Sequence, residues 1–213
     1  ITLAHGVPLY LKIGGTEAIR DIKDALELGV DGLVAPMVES AFGLVKFLNA
    51  CRFIYGNKKI FKSINVETRQ AAEGIDDILK VASPHVDNIT IGRTDLSRSY
   101  FDEKIQPDSK FIQDIIISLV QKVTAAGLSF TVGGSLSRAS IEYFHSRPKE
   151  WLRQITNLET RKVILPTNIM LENEEALKES IKFEELYLHF KIGVEELMIS
   201  SDKERFAKLK ERL

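Results

Sequence analysis

The stretch "INVETRQAAEGIDDILKVASPHVDNITIGRTDLSRS", residues 64–99, decides the fold class. A β-branched run stops at Glu67, a helical segment covers 70–82, and a second run, "VDNITIG" (86–92), ends on a glycine shortly before Asp95. Strand, helix and strand in about 30 residues read as a βαβ unit, whose strands are parallel. Parallel strands leave their sheet at the same edge. Each of these two therefore delivers one carboxylate to that edge.

The alternation extends to both sides. "PLYLKI" (8–13) reads as a strand stopped by Gly14 and Gly15, and Thr16 is placed to cap a helix with Ile19, Ile22, Ala25 and Leu26 on its apolar face. Gly29 ends that helix, and "DGLVAPM" (31–37) is the next strand, followed by a helix carrying Ala41, Leu44, Val45 and Leu48. "KIFKSINVE" (59–67) and "VDNITIG" repeat the scheme, and a helix over about 109–126 leads to "GLSFTVGG" (127–134). A helical or loop stretch (137–153) and a sixth strand, "ETRKVIL" (159–165), follow. Met37 and Phe42, Phe47, Phe130 and Phe144 read as core.

Six near-continuous apolar strands separated by helices suit a TIM barrel or a doubly wound sheet. A full barrel takes about 250 residues. At 213 residues, the chain is short by one or two βα units and opens on Ile1 rather than Met, as a fragment of a longer product would. Residues 1–172 are expected to form the α/β domain. Residues 173–213 read as a charged helical extension, with Leu177, Ile181, Leu188 and Ile192 on a stripe that packs on that domain or on a neighbouring subunit of a homo-oligomer.

Composition narrows the partners. The chain is 44% hydrophobic and 28% charged, ordinary for a globular protein. A net charge of −1 and a pI near 6.5 provide no field for nucleic acid or an anionic membrane. No apolar stretch approaches the roughly 18 residues of a membrane span. The single cysteine, Cys51, excludes an internal disulfide framework and a cysteine-based zinc cluster, so a reducing, cytoplasmic setting is expected.

In parallel α/β folds, ligands bind at the carboxyl ends of the strands. The exits read here are Lys12 with Gly14 and Gly15, Pro36 and Glu39, Glu67 with Arg69, Gly92 through Asp95, Gly133 and Gly134 with Ser135, and Glu159 with Arg161. Glu67 and Asp95 leave adjacent strands, at a spacing that lets both approach one hard cation such as Mg²⁺ or Mn²⁺. The alternative is that Glu67 caps the following helix and Asp95 caps "LSRS". Gly92, with Arg93 and Thr94, and Gly133, Gly134 and Ser135 allow sharp turns that present backbone N–H groups to an anion. Neither glycine pair belongs to a dinucleotide or P-loop signature. The histidines at 5, 85, 145 and 189 form no metal or triad pattern.

Several of these segments resemble one family. "LKIGG…DIKDALELGVDGLVAPMVES", then "NVET", then "VDNITIGRTDLSRS" are similar, in order and separation, to motifs of the HpcH/HpaI aldolase and citrate lyase β-subunit superfamily. The resemblance implies a TIM (β/α)8-type barrel that binds Mg²⁺ or Mn²⁺ through Glu67 and Asp95. It implies a metal-dependent carbon–carbon lyase acting on a small 2-oxo or hydroxy acid, or its CoA thioester. The loop of Gly92 and Thr94, with Gly133, Gly134 and Ser135, would then hold substrate. Lys12 aligns with the family's catalytic arginine, and Arg93 replaces a small residue or proline, so that it either supplies the lost guanidinium or blocks the pocket. Two alternatives stand beside this reading. One is phosphoenolpyruvate or phosphonate chemistry, with Gly133, Gly134, Ser135 and Arg138 on phosphate. The other is a barrel that binds ligand without turnover.

Overall fold

The computed structural model describes residues 2–210. Strands and helices alternate: β1 (Tyr10–Lys12), α1 (Ile19–Leu28), β2 (Gly32–Ala35), α2 (Ala41–Tyr55), β3 (Phe61–Val66), α3 (Arg69–Glu73), α4 (Ile75–Ala82), β4 (Asn88–Gly92), α5 (Arg93–Arg98) and α6 (Lys110–Ala125). They continue through β5 (Ser129–Gly133), α7 (Arg138–His145), α8 (Lys149–Leu152), β6 (Asn157–Glu159), β7 (Ile164–Pro166), α9 (Thr167–Glu172) and α10 (Ala176–Lys210). The seven strands form one sheet in sequence order, parallel from β1 to β6, with β7 antiparallel to β6.

Strand alternation sorts the two faces of the sheet. On one, Leu33, Ala35, Ile64, Val66, Ile89, Ile91, Phe130, Val132 and Leu158 are buried in one cluster with Ile22, Leu44, Phe47, Ile78, Ile116 and Val120 of the helices. The other carries buried polar residues. Asn88 Nδ2 donates to Ser63 Oγ (2.8 Å) and Thr90 Oγ1 (3.1 Å), and Thr131 Oγ1 donates to Asn88 Oδ1 (2.9 Å). A hydrogen-bonded polar layer is what a buried, non-apolar face requires.

Four expectations are corrected. Thr16 is not a cap: α1 starts after Ala18 with no side-chain cap bond. The segment 70–82 is two helices that meet at Gly74. "ETRKVIL" is not one strand: Glu159 ends β6, and Thr160 closes a turn through its N–H to Val163 O (2.9 Å) before β7 returns antiparallel. Phe47, Phe130 and Phe144 are core, but Phe42 and Met37 are exposed.

Helix α10 has 35 residues, or about 52 Å at 1.5 Å per residue. Its first turns touch the body, where Ala176 and Ser180 are buried and Leu177 is half-buried against the core. Ile181, Leu188 and Ile192 of the expected stripe are exposed, as are Phe183, Leu186, Phe190 and Leu197. Among the described residues, no helix is long and apolar enough to cross a membrane.

Candidate active site at the carboxyl ends of the strands

Register places the site. Val66 pairs with Ile91, Gly92 with Gly133, and Val132 with Leu158. The next residues therefore fall in one row across β3 to β6: Glu67, Gly92, Gly133, Glu159. The glycines make room for the acids. A Cβ on Gly92 would lie 2.5 Å from Glu67 Oε2, and one on Gly133 would lie 3.3 Å from Glu159 Cβ. Each glutamate lies over the glycine beside it.

Glu67 is only 3% exposed. Burying a carboxylate is costly unless hydrogen bonds and a counter-charge replace water. Both are present. Oε1 accepts the Met37 N–H (3.0 Å), Oε2 accepts from Asn65 Nδ2 (3.2 Å), and Lys12 Nζ lies 3.8 Å from Oε2. Met37 holds its N–H there from a left-handed backbone, φ 51°. Thr68, not Glu67, caps α3, accepting the Ala71 N–H at 3.2 Å. Asp95 makes no cap bond either. It is half-buried at the third position of α5, and its carboxylate has no hydrogen bond or ion pair among the described residues.

Arg93 corrects an expectation. Its guanidinium neither faces substrate nor blocks the mouth: it is 2% exposed and already bonded. Nε donates to Gly133 O (3.1 Å), Nη1 to Asp108 (2.6 Å), and Nη2 to Gly134 O (2.8 Å) and Ser140 Oγ (3.3 Å). Burial pulls its pKa below the ordinary arginine value, with Asp108 opposing. Arg93 thus clamps the β4 exit to the β5 exit. Gly134 completes the joint. At φ 83°, it approaches so closely that a Cβ would meet the Arg93 and Thr94 nitrogens at 2.7 Å. Thr94 Oγ1 and Ser135 Oγ hydrogen-bond at 2.8 Å. Arg138 points to solvent, paired with Glu142 at 3.2 Å, away from any phosphate in this loop.

Sequence reasoning gave Glu159 no role. Its carboxyl is pushed up to about 7, first by burial, with Glu67 raising it further and Lys12 lowering it. Among the described residues it has no hydrogen bond or ion pair. The coupling to Lys12 also reveals the shape of the sheet. Five strand spacings separate β1 from β6 along the sheet, about 24 Å if it were flat. The sheet therefore curls, and its polar face is the concave one. The available signal in sequence was an acid at a strand exit, at the same level as a glycine of the neighbouring strand.

No group of three or more His, Cys, Asp or Glu able to hold a metal occurs among the described residues. Mg²⁺ needs only one or two carboxylates when water and substrate complete its shell. The oxygens of Glu67 and Asp95 fit that chemistry. Beside Glu67, the buried Asn65 Oδ1 has no hydrogen-bond partner and is open to a donor such as a bound water.

A family model, HpcH/HpaI aldolase/citrate lyase, matches residues 12–132, more than half of the chain and all of the site except Glu159 and the Gly133–Ser135 loop. The chain belongs to the HpcH/HpaI aldolase/citrate lyase family. The 2-keto-3-deoxy-L-rhamnonate aldolase of Salmonella typhi is 28% identical over 147 residues, covering 56% of this chain and 52% of that protein. Its namesake in Klebsiella pneumoniae is 27% identical with the same coverage. This chain thus spans about half the length of the curated relatives it matches. Among solved structures, an HpcH/HpaI aldolase from Desulfitobacterium hafniense superposes with TM-score 0.59 at 17% identity, covering 75% of this chain and 67% of that one. RipC from Yersinia pestis superposes at 0.58 with 20% identity, covering 79% and 76%. At these identities, the likeness concerns the fold alone.

Proposed function

We propose that this HpcH/HpaI family chain carries the metal-binding half of a carbon–carbon lyase for a small 2-oxo acid. The observation that carries the reading is Glu67: a buried carboxylate, oriented by Met37 and Asn65, at the same strand edge as the unpartnered Asp95. Glu67 and Asp95 would hold the divalent ion, Mg²⁺ or Mn²⁺, which when bound supplies Lewis acidity to the 2-oxo group. Lys12 contributes a half-exposed positive charge beside Glu67 and favours negative charge that develops on substrate oxygen. As a point charge it does not reproduce the bidentate fork of an arginine. Thr94, Ser135 and the backbone of Gly92, Gly133 and Gly134 form the rim against which substrate is oriented. Arg93 acts through that rim, by fixing it.

The aldolase relatives favour a 2-keto-3-deoxy acid over an acyl-CoA thioester. The phosphate reading is disfavoured by Arg138, which faces solvent. A curled sheet with six parallel strands, in a chain that spans only about half the length of the curated relatives it matches, supports a (β/α)8 barrel completed by segments outside this chain. Residues 1–172 would belong to that barrel and 173–213 to the extension. The exposed apolar residues of α10 support a homo-oligomer, and the buried free thiol of Cys51 supports a cytoplasmic setting.

The test is a thermal melt of the full-length protein with Mg²⁺ or Mn²⁺, with and without oxalate, an analogue of the pyruvate enolate. Ligand at 100 times its Kd stabilises by about 2.7 kcal/mol. A metal-dependent oxalate shift that disappears in both Glu67→Gln and Asp95→Asn supports the site. Shifts retained in both variants would refute it.

A further inference from the structure

The row Glu67, Gly92, Gly133, Glu159 carries two acids, and only Glu67 is absorbed by the metal reading. Glu159 lies outside residues 12–132 that match the family model. It stands at the same sheet level as Glu67, three strands further round the curled sheet. Its stem packs on Gly133, where a Cβ would lie 3.3 Å from Glu159 Cβ, and strand alternation turns it to the concave face. Like Asp95, it differs from the buried Arg93 and Glu67. Arg93 is consumed by four hydrogen bonds, and Glu67 is held by three neighbours, whereas Glu159 has no hydrogen bond or ion pair among the described residues. A partly buried acid with free oxygens, facing a lysine and a glutamate, is suited to exchange a proton with a ligand rather than to brace the fold.

We propose that Glu159 is a catalytic residue of this site, the group that carries the proton in cleavage of a 4-hydroxy-2-oxo acid. The assignment rests on the lyase reading above. The Glu159 carboxylate takes the proton of the C4 hydroxyl. The C4–O electrons close to a carbonyl as the C3–C4 bond breaks, releasing an aldehyde, and the pair from that bond passes into the C2–C3 enolate. The protonated Glu159 then returns the proton to C3, giving the smaller oxo acid and regenerating the carboxylate. No oxidant, reductant or further reactant is needed. The raised proton affinity of Glu159, near neutrality, suits a group that must both take and return a proton.

The second half of this sequence can be read alone. Run backwards in D₂O, it exchanges the C3 protons of pyruvate for deuterium, which proton NMR follows directly. The experiment compares full-length wild type, Glu159→Gln and Glu159→Asp in the presence of Mg²⁺, with the oxalate thermal shift measured on the same samples. Glu159→Gln is expected to keep the oxalate shift and lose exchange by about 100-fold or more, the usual contribution of one acid–base group. Glu159→Asp, which keeps the carboxylate but withdraws it, is expected to fall between the two, and it stands in if the glutamine variant does not fold. Exchange at the wild-type rate in either variant would overturn the assignment alone. A wild type that shows the oxalate shift but no exchange would overturn the lyase reading, and the assignment with it.

Discussion

Glu67 and Arg93 show how two charges, both almost fully buried, are put to opposite uses. Glu67 keeps lone pairs free beside a lysine that is half exposed. Arg93 spends its donors on two carbonyls, a hydroxyl and Asp108, so its value is structural. Removing one partner of such a buried network costs about 3–5 kcal/mol. Arg93→Ala is expected to lose that much in urea denaturation. Arg93→Lys should recover only a small part, because an ammonium cannot reach all four acceptors. Glu159 sets a pH dependence whose sign follows from its raised pKa. The native state holds this proton up to about 7, against 4.5 for an ordinary glutamate, because burial and Glu67 outweigh Lys12. Native protein therefore binds more protons than unfolded chain between those values, and stability falls as pH rises through them. Glu159→Gln should lack this falling limb. Melts at pH 5 and pH 8 should show the variant gaining on the wild type at the higher pH.

At the scale of elements, the exits of β3 to β6 work as one unit because glycines admit their neighbours. A methyl at Gly92 would collide with the Glu67 side chain, although the backbone of Gly92, at φ −88°, tolerates alanine. Gly92→Ala is thus expected to displace Glu67 and abolish the metal-dependent oxalate shift. The loss of metal-free stability should stay within about 1–3 kcal/mol, the usual cost of overpacking. Gly134 differs. Its left-handed backbone and its contact with the nitrogens of Arg93 and Thr94 leave no place for a Cβ, so Gly134→Ala should unseat α5 and with it Asp95. The helices cap themselves independently of the site. Ser40, Thr68, Ser109 and Ser137 each accept a backbone N–H at a helix start, which leaves the strand-end acids free for other work.

At the scale of the whole molecule, the unresolved demand is α10. A helix of about 52 Å whose outer turns expose Leu186, Phe190 and Leu197 gains little from the body it leaves. Deleting residues 186–213 is expected to lower the number of subunits in the sedimenting particle while leaving the melting behaviour of the α/β body nearly intact. An unchanged number of subunits would place the subunit contact elsewhere.

The βαβ reading of residues 64–99, the parallel alternation and the strand exits at Lys12, Glu67 and Gly92 were legible in the sequence, because they rest on local periodicity and on glycine punctuation. The candidate site is legible as far as the family motifs reach, which pick out Glu67 and Asp95 as candidate metal ligands. Arg93 was misjudged and Glu159 passed over for one physical reason. A side chain's role at a strand end depends on which neighbouring exit it meets, and that is set by register and by the curl of the sheet. The carbonyls that hold Arg93 come from 40 residues away, and the glutamate that raises Glu159 stands three strands back. Only the tertiary structure brings those groups together, since the charges, cavities and hydrogen bonds that decide chemistry act through space rather than along the chain.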